Sequence, residues 1–376
     1  MRVILLCTRH HEGGGGSEVL TRHIAVGLRE RGYEVEIWYL YDDVAREKSA
    51  WERTLYEGRP RGPASAFAIA YKFIRGLIGF RPDAIIAFHP LPNIIGTVAG
   101  VFGFVPARVA SQHTQASCYR RWLRWLDRVL GSSFVYTRNI VVSRALAGTF
   151  DNYPAAYRAK ISVVYNSVPG PRNVFDQREA RQRCSLPVHG IVIGTVGRLV
   201  PQKNQKFLLE LLADLPEVHL SIAGAGQLRG ELVETARRLE VTDRLHLVGP
   251  LQWEEIHSFL SSLDLFVFPS HFEGFGIALV EALQVGVPVL ANDLPVFREV
   301  LIPSPGLIGG VLVPIGDRRA WLRQIASLTT DQTRRSALIE PGHRVAALYS
   351  LETMIDGYEG AIRSSASGVP HPEPAA

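Results

Sequence analysis

The chain has 376 residues, 47% of them hydrophobic and 20% charged, which excludes a disordered chain and exceeds what one ordinary core needs. Its three cysteines, Cys7, Cys118 and Cys184, lie far apart, which excludes a disulfide framework and fits a reducing cytoplasm. The net charge of +5 is uneven: residues 1–168 carry 22 Lys and Arg against 13 acids, the rest 19 against 23, so the first half is the one suited to nucleic acid, anionic lipid or a phosphate-bearing substrate.

The chain runs directly into an apolar strand, leaving no room for a signal peptide. Strands are predicted over residues 3–7, 35–39, 84–88, 108–111, 140–142 and 161–165, alternating with helices over 18–31, 64–79, 93–102 and 118–130. The longest apolar run, 91–107, contains Pro92, Asn93 and Pro106. It is short for a bilayer span and reads as a buried helix, so no integral membrane protein is expected. Residues 169–190, rich in Pro, Gly, Asn and charge, read as a linker. Strands then resume over 191–196, 219–223, 245–248, 265–268, 287–290 and near Val311, with helices over 205–215, 227–239, 254–261, 278–285 and 318–328. From Ser364 the composition of Ser, Pro and Ala predicts disorder.

Such alternation of buried strands and helices predicts an α/β fold of two Rossmann-like doubly wound domains facing each other across a cleft at the carboxyl ends of both sheets. The expected domains are 1–168 and 169–346. A C-terminal helix, 347–365, would pack back on the first domain, and 366–376 would form a disordered tail.

Four motifs carry chemistry. Glu12 to Glu18 holds four consecutive glycines, including Gly15 and Gly16, between the first strand and the first helix. Their amides can approach a diphosphate, although the G-x-G-x-x-G dinucleotide fingerprint is not met. Gly197 to Asn204 follows the first strand of the second half, and its Arg198 and Lys203 can neutralise a diphosphate. In Pro269 to Ala291, Gly274 and Gly276 flank Phe275, Glu273 precedes them and Glu281 follows inside a helix. The amides of residues 275–278 would face out of that helix start, a natural anion site. Carboxylates for hydroxyls around a nest for phosphate suit a sugar nucleotide. Fourth, His113 ends a strand, where an imidazole either serves structure or meets a sugar hydroxyl or proton.

The segment from Tyr119 to Leu130 is amphipathic. Trp122, Leu123, Trp125, Leu126, Val129 and Leu130 share one arc, and Arg120, Arg121, Arg124 and Arg128 another. Either the apolar arc packs on the sheet, or the helix lies on an anionic membrane surface.

These segments together, GGGGSE (13–18), GRLVPQKN (197–204), IAGAGQ (222–227), VGPL (248–251), PSHFEGFGIALVEAL (269–283) and GVPVLANDLPVFREV (286–300) among them, resemble the retaining GT-B glycosyltransferases of family-4 type over residues 1–300. The resemblance implies a UDP- or GDP-linked sugar as donor and a lipid-linked or saccharide acceptor, in cell-surface polysaccharide or glycolipid synthesis. Gly15 and Gly16 would approach the donor diphosphate. Arg198, Lys203 and the amides of Phe275, Gly276 and Ile277 would hold it, while Glu281 would take the ribose and Val248 to Leu251 the nucleobase. Glu273 and His113 would meet the transferred sugar. The run from Asn292 to Glu299 lacks the glycine many relatives carry there. No metal or other cofactor is expected, since no Asp-x-Asp pair lies near the phosphate motifs, and no nucleic acid is expected as partner. The expected location is cytoplasmic, peripheral at the inner face of the membrane. A sugar-nucleotide epimerase on the same scaffold and a non-catalytic sugar-binding protein are the alternatives, and an epimerase would need no acceptor.

Overall fold

The structure, a computed structural model, describes residues 1–9, 16–42, 48–171 and 175–367. Gly15 and the chain beyond residue 367 lie outside them. Two compact units are formed: Met1–Ser167 together with the segment from Leu351, and Val168–Ser350.

The first unit contains seven parallel strands: β1 (Arg2–Arg9), β2 (Glu34–Tyr41), β3 (Glu52–Thr54), β4 (Ala84–Phe88), β5 (Ala107–Gln112), β6 (Arg138–Val141) and β7 (Ile161–Val163). Their order is β3-β2-β1-β4-β5-β6-β7, with Val3 level with Val35 on one side and Ala84 on the other. Side chains alternate across each strand, and both faces of β1 are buried. Val3, Leu5 and Cys7 meet Leu20, Ile24 and Leu28 of the helix Gly16–Glu30, and Met354, Tyr358 and Ile362 of the helix Leu351–Ser367. Ile4 and Leu6 meet Phe73, Leu77 and Phe80 of the helix Gly62–Phe80. That helix closes at Arg81, whose left-handed φ of 50° turns the chain ahead of Pro82.

Two expectations fail here. Ser364 to Ser367 belong to the last helix rather than to a disordered tail; Ser364 is buried and accepts from Arg138 Nε at 3.3 Å. A Ser-rich composition does not prevent a helix whose other face is already buried. Strand β3, sequence ERT, was not foreseen, because three residues carry no readable alternation.

The helix expected over 118–130 is also displaced. Ala116–Cys118 form a single 3-10 turn and the α-helix runs Arg121–Ser132. Its apolar arc does not all turn inward: Asp127 and Gly131 are buried, Leu123, Leu126 and Leu130 half-buried, and Trp122, Trp125 and Val129 exposed. The cause is Asp127. Its carboxylate accepts from Gln112 Nε2 at 2.9 Å, Tyr136 OH at 3.0 Å and Tyr157 OH at 2.8 Å. Burial raises its pKa and these three donors pull it back. A fully hydrogen-bonded buried carboxylate fixes the helix rotation, and the tryptophans are left outside.

The second unit has six parallel strands: β8 (Ile191–Val196), β9 (Val218–Ala223), β10 (Leu245–Gly249), β11 (Leu265–Phe268), β12 (Val289–Asn292) and β13 (Val311–Val313), in the order β10-β9-β8-β11-β12-β13. The expected linker over 169–190 is structured from residue 175 onward. It contains the helix Gln177–Arg183, N-capped by Asp176. Buried Arg181 pairs with Asp264 at 2.6 Å and donates to the carbonyls of Ser262, Val188 and Gly190. One guanidinium thus satisfies the carbonyls of a Pro- and Gly-containing loop that has no ladder of its own. No helix among the described residues is long and apolar enough to cross a membrane.

Candidate active site

In the second unit the strand order reverses between β8 and β11, so the loops leaving these neighbours diverge. Crevices at such switch points, outside the carboxyl ends of the strands, are where open α/β sheets bind ligands. The loop after β8 is stitched to the one after β9: Gly197 N donates to Ala223 O, and Leu199 N to Ala225 O, both at 2.9 Å. Gly224 N in turn reaches Gly249 O, the last residue of β10, at 2.7 Å. The approach demands glycine at 224, where a Cβ would lie 2.0 Å from Gly197 O. The loop after β8 is tied to the one after β11 as well. Gln202 Nε2 donates to Phe272 O at 2.8 Å and His271 N to Gln202 O at 2.8 Å.

These ties hold Lys203 Nζ 2.6 Å from Glu273 Oε1, with both side chains largely buried. The same ammonium stands 4.5 Å over the ring of Phe268, the last residue of β11, which adds a cation–π attraction. Glu281, buried in the helix Ile277–Gln284, has no such direct pairing. Burial pushes its carboxyl up to about 7, and the charge of Lys203 draws it partly back. The helix starts at Ile277 because Gly276 adopts φ 96°, a region closed to most side chains. The ring of Phe275 is buried edge-on against Tyr349, so Phe275 offers backbone rather than ring to a ligand. Leu279 N bonds back to Gly276 O at 2.9 Å, whereas the amides of Ile277 and Ala278 have no carbonyl one turn earlier within the helix to bond. Arg198 is exposed and forms no ion pair among the described residues. Gln205 Nε2 holds its carbonyl at 2.9 Å.

Val248 and Leu251 line a cavity of about 230 Å³ with Phe175, Arg183, Cys184 and Glu255. None of Lys203, Glu273 and Glu281 lines it. In the run from Asn292 to Glu299, Asn292 is structural: its Nδ2 donates to Ser270 O and its Oδ1 accepts from Ile315 N, each at 2.9 Å. Asp293 pairs with Arg298.

The carboxyl edge of the first unit's sheet differs in kind. Gly16 opens the helix after β1, His89 follows β4 and His113 follows β5. His113 Nε2 lies 2.9 Å from Ser111 Oγ, which lies 3.0 Å from Tyr358 OH. Burial, and then the neighbouring His89, lower the pKa of His113 to about 3, so its imidazole is neutral at physiological pH. His89 itself has φ 78° and precedes the helix Pro90–Phe102.

Of the predicted residues, Lys203, Glu273, Glu281 and the backbone of Phe275 to Ile277 therefore come together on the second unit, with Arg198 on the adjoining loop. His113 lies on the first unit, as do Arg120, Arg121, Arg124 and Arg128. Phe268, Gln202, Gln205, Ser111 and Tyr358 escaped the sequence reading. Phe268 ends an apolar strand and looked like core, and Tyr358 lies 247 residues from Ser111. Among the described residues no group of three His, Cys, Asp or Glu is placed to hold a metal ion.

Two family models match end to end: glycosyltransferase family 4 over residues 14–169 and glycosyl transferases group 1 over 176–345. The lipopolysaccharide core biosynthesis glycosyltransferase LpsE of Rhizobium meliloti is 29% identical over 93% of this chain and 97% of its own length. The D-inositol 3-phosphate glycosyltransferase of Segniliparus rotundus is 30% identical, over 94% and 85%. Other relatives match over less, the chain spanning 40% of their length. Among solved structures, Anabaena HepE in complex with UDP and glucose superposes with a TM-score of 0.79 at 19% identity, covering 96% of this chain and 99% of HepE. That likeness extends the GT-B fold to both units. With relatives of this identity matching along nearly all of it, the chain belongs to the group 1 glycosyltransferases.

Proposed function

We propose that this glycosyltransferase moves a sugar from a UDP- or GDP-linked donor to a hydroxyl of a lipid-linked or saccharide acceptor, with retention at the anomeric carbon and without a metal. The observation that carries the reading is the ion pair of Lys203 and Glu273 beside buried Glu281, at the switch point of the second sheet and next to a helix start. Lys203, Arg198 and the amides from Phe275 to Ile277 hold the diphosphate and stabilise its growing charge as it leaves. Glu273 accepts from hydroxyls of the transferred sugar and Glu281 from the ribose. The bond from the anomeric carbon to the phosphate oxygen breaks and one to the acceptor oxygen forms on the same face. The departing phosphate takes the acceptor proton. No carboxylate nucleophile of the kind retaining glycosidases use is needed. His113, neutral at physiological pH, offers a hydrogen bond to a sugar hydroxyl.

HepE, crystallised with UDP and glucose, supports a nucleotide-sugar donor, and the relative named for lipopolysaccharide core biosynthesis supports a surface-glycan setting. Thermal shift against UDP-, GDP- and ADP-sugars tests the donor, since a ligand bound only by the native state raises Tm. A rise with one nucleotide class, followed by acceptor-dependent transfer that survives chelator, is the expected result. Conversion of the donor sugar without any acceptor would favour the epimerase reading instead.

A further inference from the structure

The helix Gly62–Phe80 is apolar on two separate faces. Phe73, Leu77 and Phe80 face the sheet, whereas Phe67, Tyr71, Ile74 and Ile78 are exposed, Phe67 to 75% and Ile78 to 66%. The spacing of 4, 3 and 4 residues puts these four on a single stripe. Isolated exposed apolar residues need no explanation, but an ordered stripe does.

The stripe is one part of a layer. The helices Gly62–Phe80 and Pro90–Phe102 share the core on one face of the sheet, and Pro90–Phe102 shares a second cluster with Leu130 of the helix Arg121–Ser132. The outer surfaces of the first and last of these helices carry Phe67, Tyr71, Ile74 and Ile78, and Trp122 and Trp125. Between them Phe104 is 92% exposed and holds a left-handed φ of 54°. A bulky residue there costs backbone strain and buries nothing within the chain.

Charge selects the occupant. Residues 58–131 contain ten Lys and Arg and two acids, Asp83 and Asp127. Both acids are engaged: Asp83 accepts from Arg2 N at 2.7 Å, and Asp127 is buried in its three hydrogen bonds. The exposed charge along the stripe is positive throughout, with Lys72 and Arg75 on the helix and Arg59, Arg61 and Arg81 at its ends. A second copy packed face to face on this surface would bring cations against cations. A bilayer with anionic headgroups satisfies both features, because cations meet the headgroups while aliphatic and aromatic side chains enter the acyl boundary.

We propose that the outer layer of the first unit is a docking face for an anionic lipid bilayer, anchored chiefly by Phe67, Tyr71, Ile74 and Ile78, with Trp122 and Trp125 as a second contact. The inference deepens the proposed function, since it supplies the surface on which a lipid-linked acceptor would be met.

The test is co-sedimentation of the whole chain with vesicles of phosphatidylcholine, with and without phosphatidylglycerol, at low and high salt. Wild type should bind the anionic vesicles at least tenfold more tightly than the neutral ones, and salt should weaken the binding. The variant Phe67→Ser/Ile74→Ser/Ile78→Ser should lose tenfold or more, and Lys72→Glu/Arg75→Glu should lose binding to anionic vesicles alone. Both change exposed residues, so Tm and vesicle-free hydrolysis of the nucleotide sugar should stay at the wild-type level. Equal binding to both vesicle types, or a serine variant that binds as wild type does, would overturn the proposal. So would concentration-dependent self-association that the serine variant abolishes, since it would assign the stripe to a second copy. Donor hydrolysis without vesicles reads the proposed function separately, so the two readings can fail independently.

Discussion

Lys203 and His113 each stand just beyond a strand at the carboxyl edge of their own sheet, and their surroundings have little in common. Lys203 is a cation 2.6 Å from a carboxylate, over an aromatic face, with a second buried carboxyl near enough to feel its charge. His113 is a neutral ring at the end of a file of hydroxyls, Tyr358 to Ser111. The second unit thus concentrates compensated charge, which suits a ligand that carries charge and spreads more as it reacts. The first unit offers hydrogen bonds whose strength changes little with ligand charge. Substitutions at the two edges should therefore differ in size and in pH dependence.

The largest effect is expected at Lys203. On the proposed function, Lys203→Ala removes the charge held against the leaving diphosphate, a loss of about 10²–10³-fold in kcat by analogy with other preorganised electrostatic groups. It also strands Glu273 in a largely buried position, and removing one partner of a buried pair costs about 3–5 kcal/mol. Lys203→Ala/Glu273→Gln should recover much of that stability and none of the turnover. Denaturant melts and kcat, measured on both variants, separate the two roles. Wild-type turnover in Lys203→Ala would remove the charge argument for the second unit.

Next comes Glu281, where the expected effect is a pH profile. Its carboxyl rises on folding from 4.5 to about 7 because it is buried, so folding takes up a proton between those values. Its contribution to stability is largest on the acid side and is lost as pH rises through about 7, a change of about 3 kcal/mol for such a shift. If Glu281 takes the ribose as proposed, its ionised form is the stronger acceptor for the hydroxyls. Donor affinity should therefore rise by about tenfold from pH 6 to 8, as the ionised fraction grows. Glu281→Gln should flatten both curves. Calorimetric titration of donor at several pH values, beside Tm against pH without donor, measures the two together. A wild-type affinity that does not change over this range would place the ribose elsewhere.

The two edges were also unequally legible. In the second unit, GRLVPQKN and PSHFEGFG announce loops after strands, and Gln202 inside the first and Gly276 at the end of the second tie or turn the backbone. Local spacing therefore carried most of the geometry. What it missed is Phe268, since a phenylalanine ending an apolar strand gives no sign that an ammonium will sit on its face. In the first unit the support of His113 comes from Tyr358, in the helix expected over 347–365, and no local pattern connects residues so far apart. The sequence leaves the helix Arg121–Ser132 open between two faces for a related reason. Its periodicity placed the tryptophans on one arc correctly, but the direction of that arc was set by Asp127 and its partners Gln112, Tyr136 and Tyr157, three side chains from other segments. Amphipathic patterns report which residues share a face and leave open which face is buried when a polar group competes for the interior.

The smallest effect, and the one most specific to the first unit, is expected at Tyr358. Ser111 has one hydroxyl proton. If Tyr358 donates to Ser111, Ser111 donates to His113 Nε2, and His113 carries its proton on Nδ1. Tyr358→Phe removes the first donor and leaves Ser111 free to accept from a protonated Nε2, so the tautomer preference should weaken. One neutral hydrogen bond is worth about 0.5–1.5 kcal/mol, which corresponds to a loss in kcat of roughly 2- to 13-fold, far below that of Lys203→Ala. Packing loss alone would lower Tm without touching the tautomer. The deciding measurement is therefore the nitrogen spectrum of the His113 ring, with Nδ1–H dominant in wild type and a mixture in the variant. If wild type already holds its proton on Nε2, the file of hydroxyls runs in the opposite direction. Tyr358 would then accept or stand idle, and Tyr358→Phe should leave turnover unchanged.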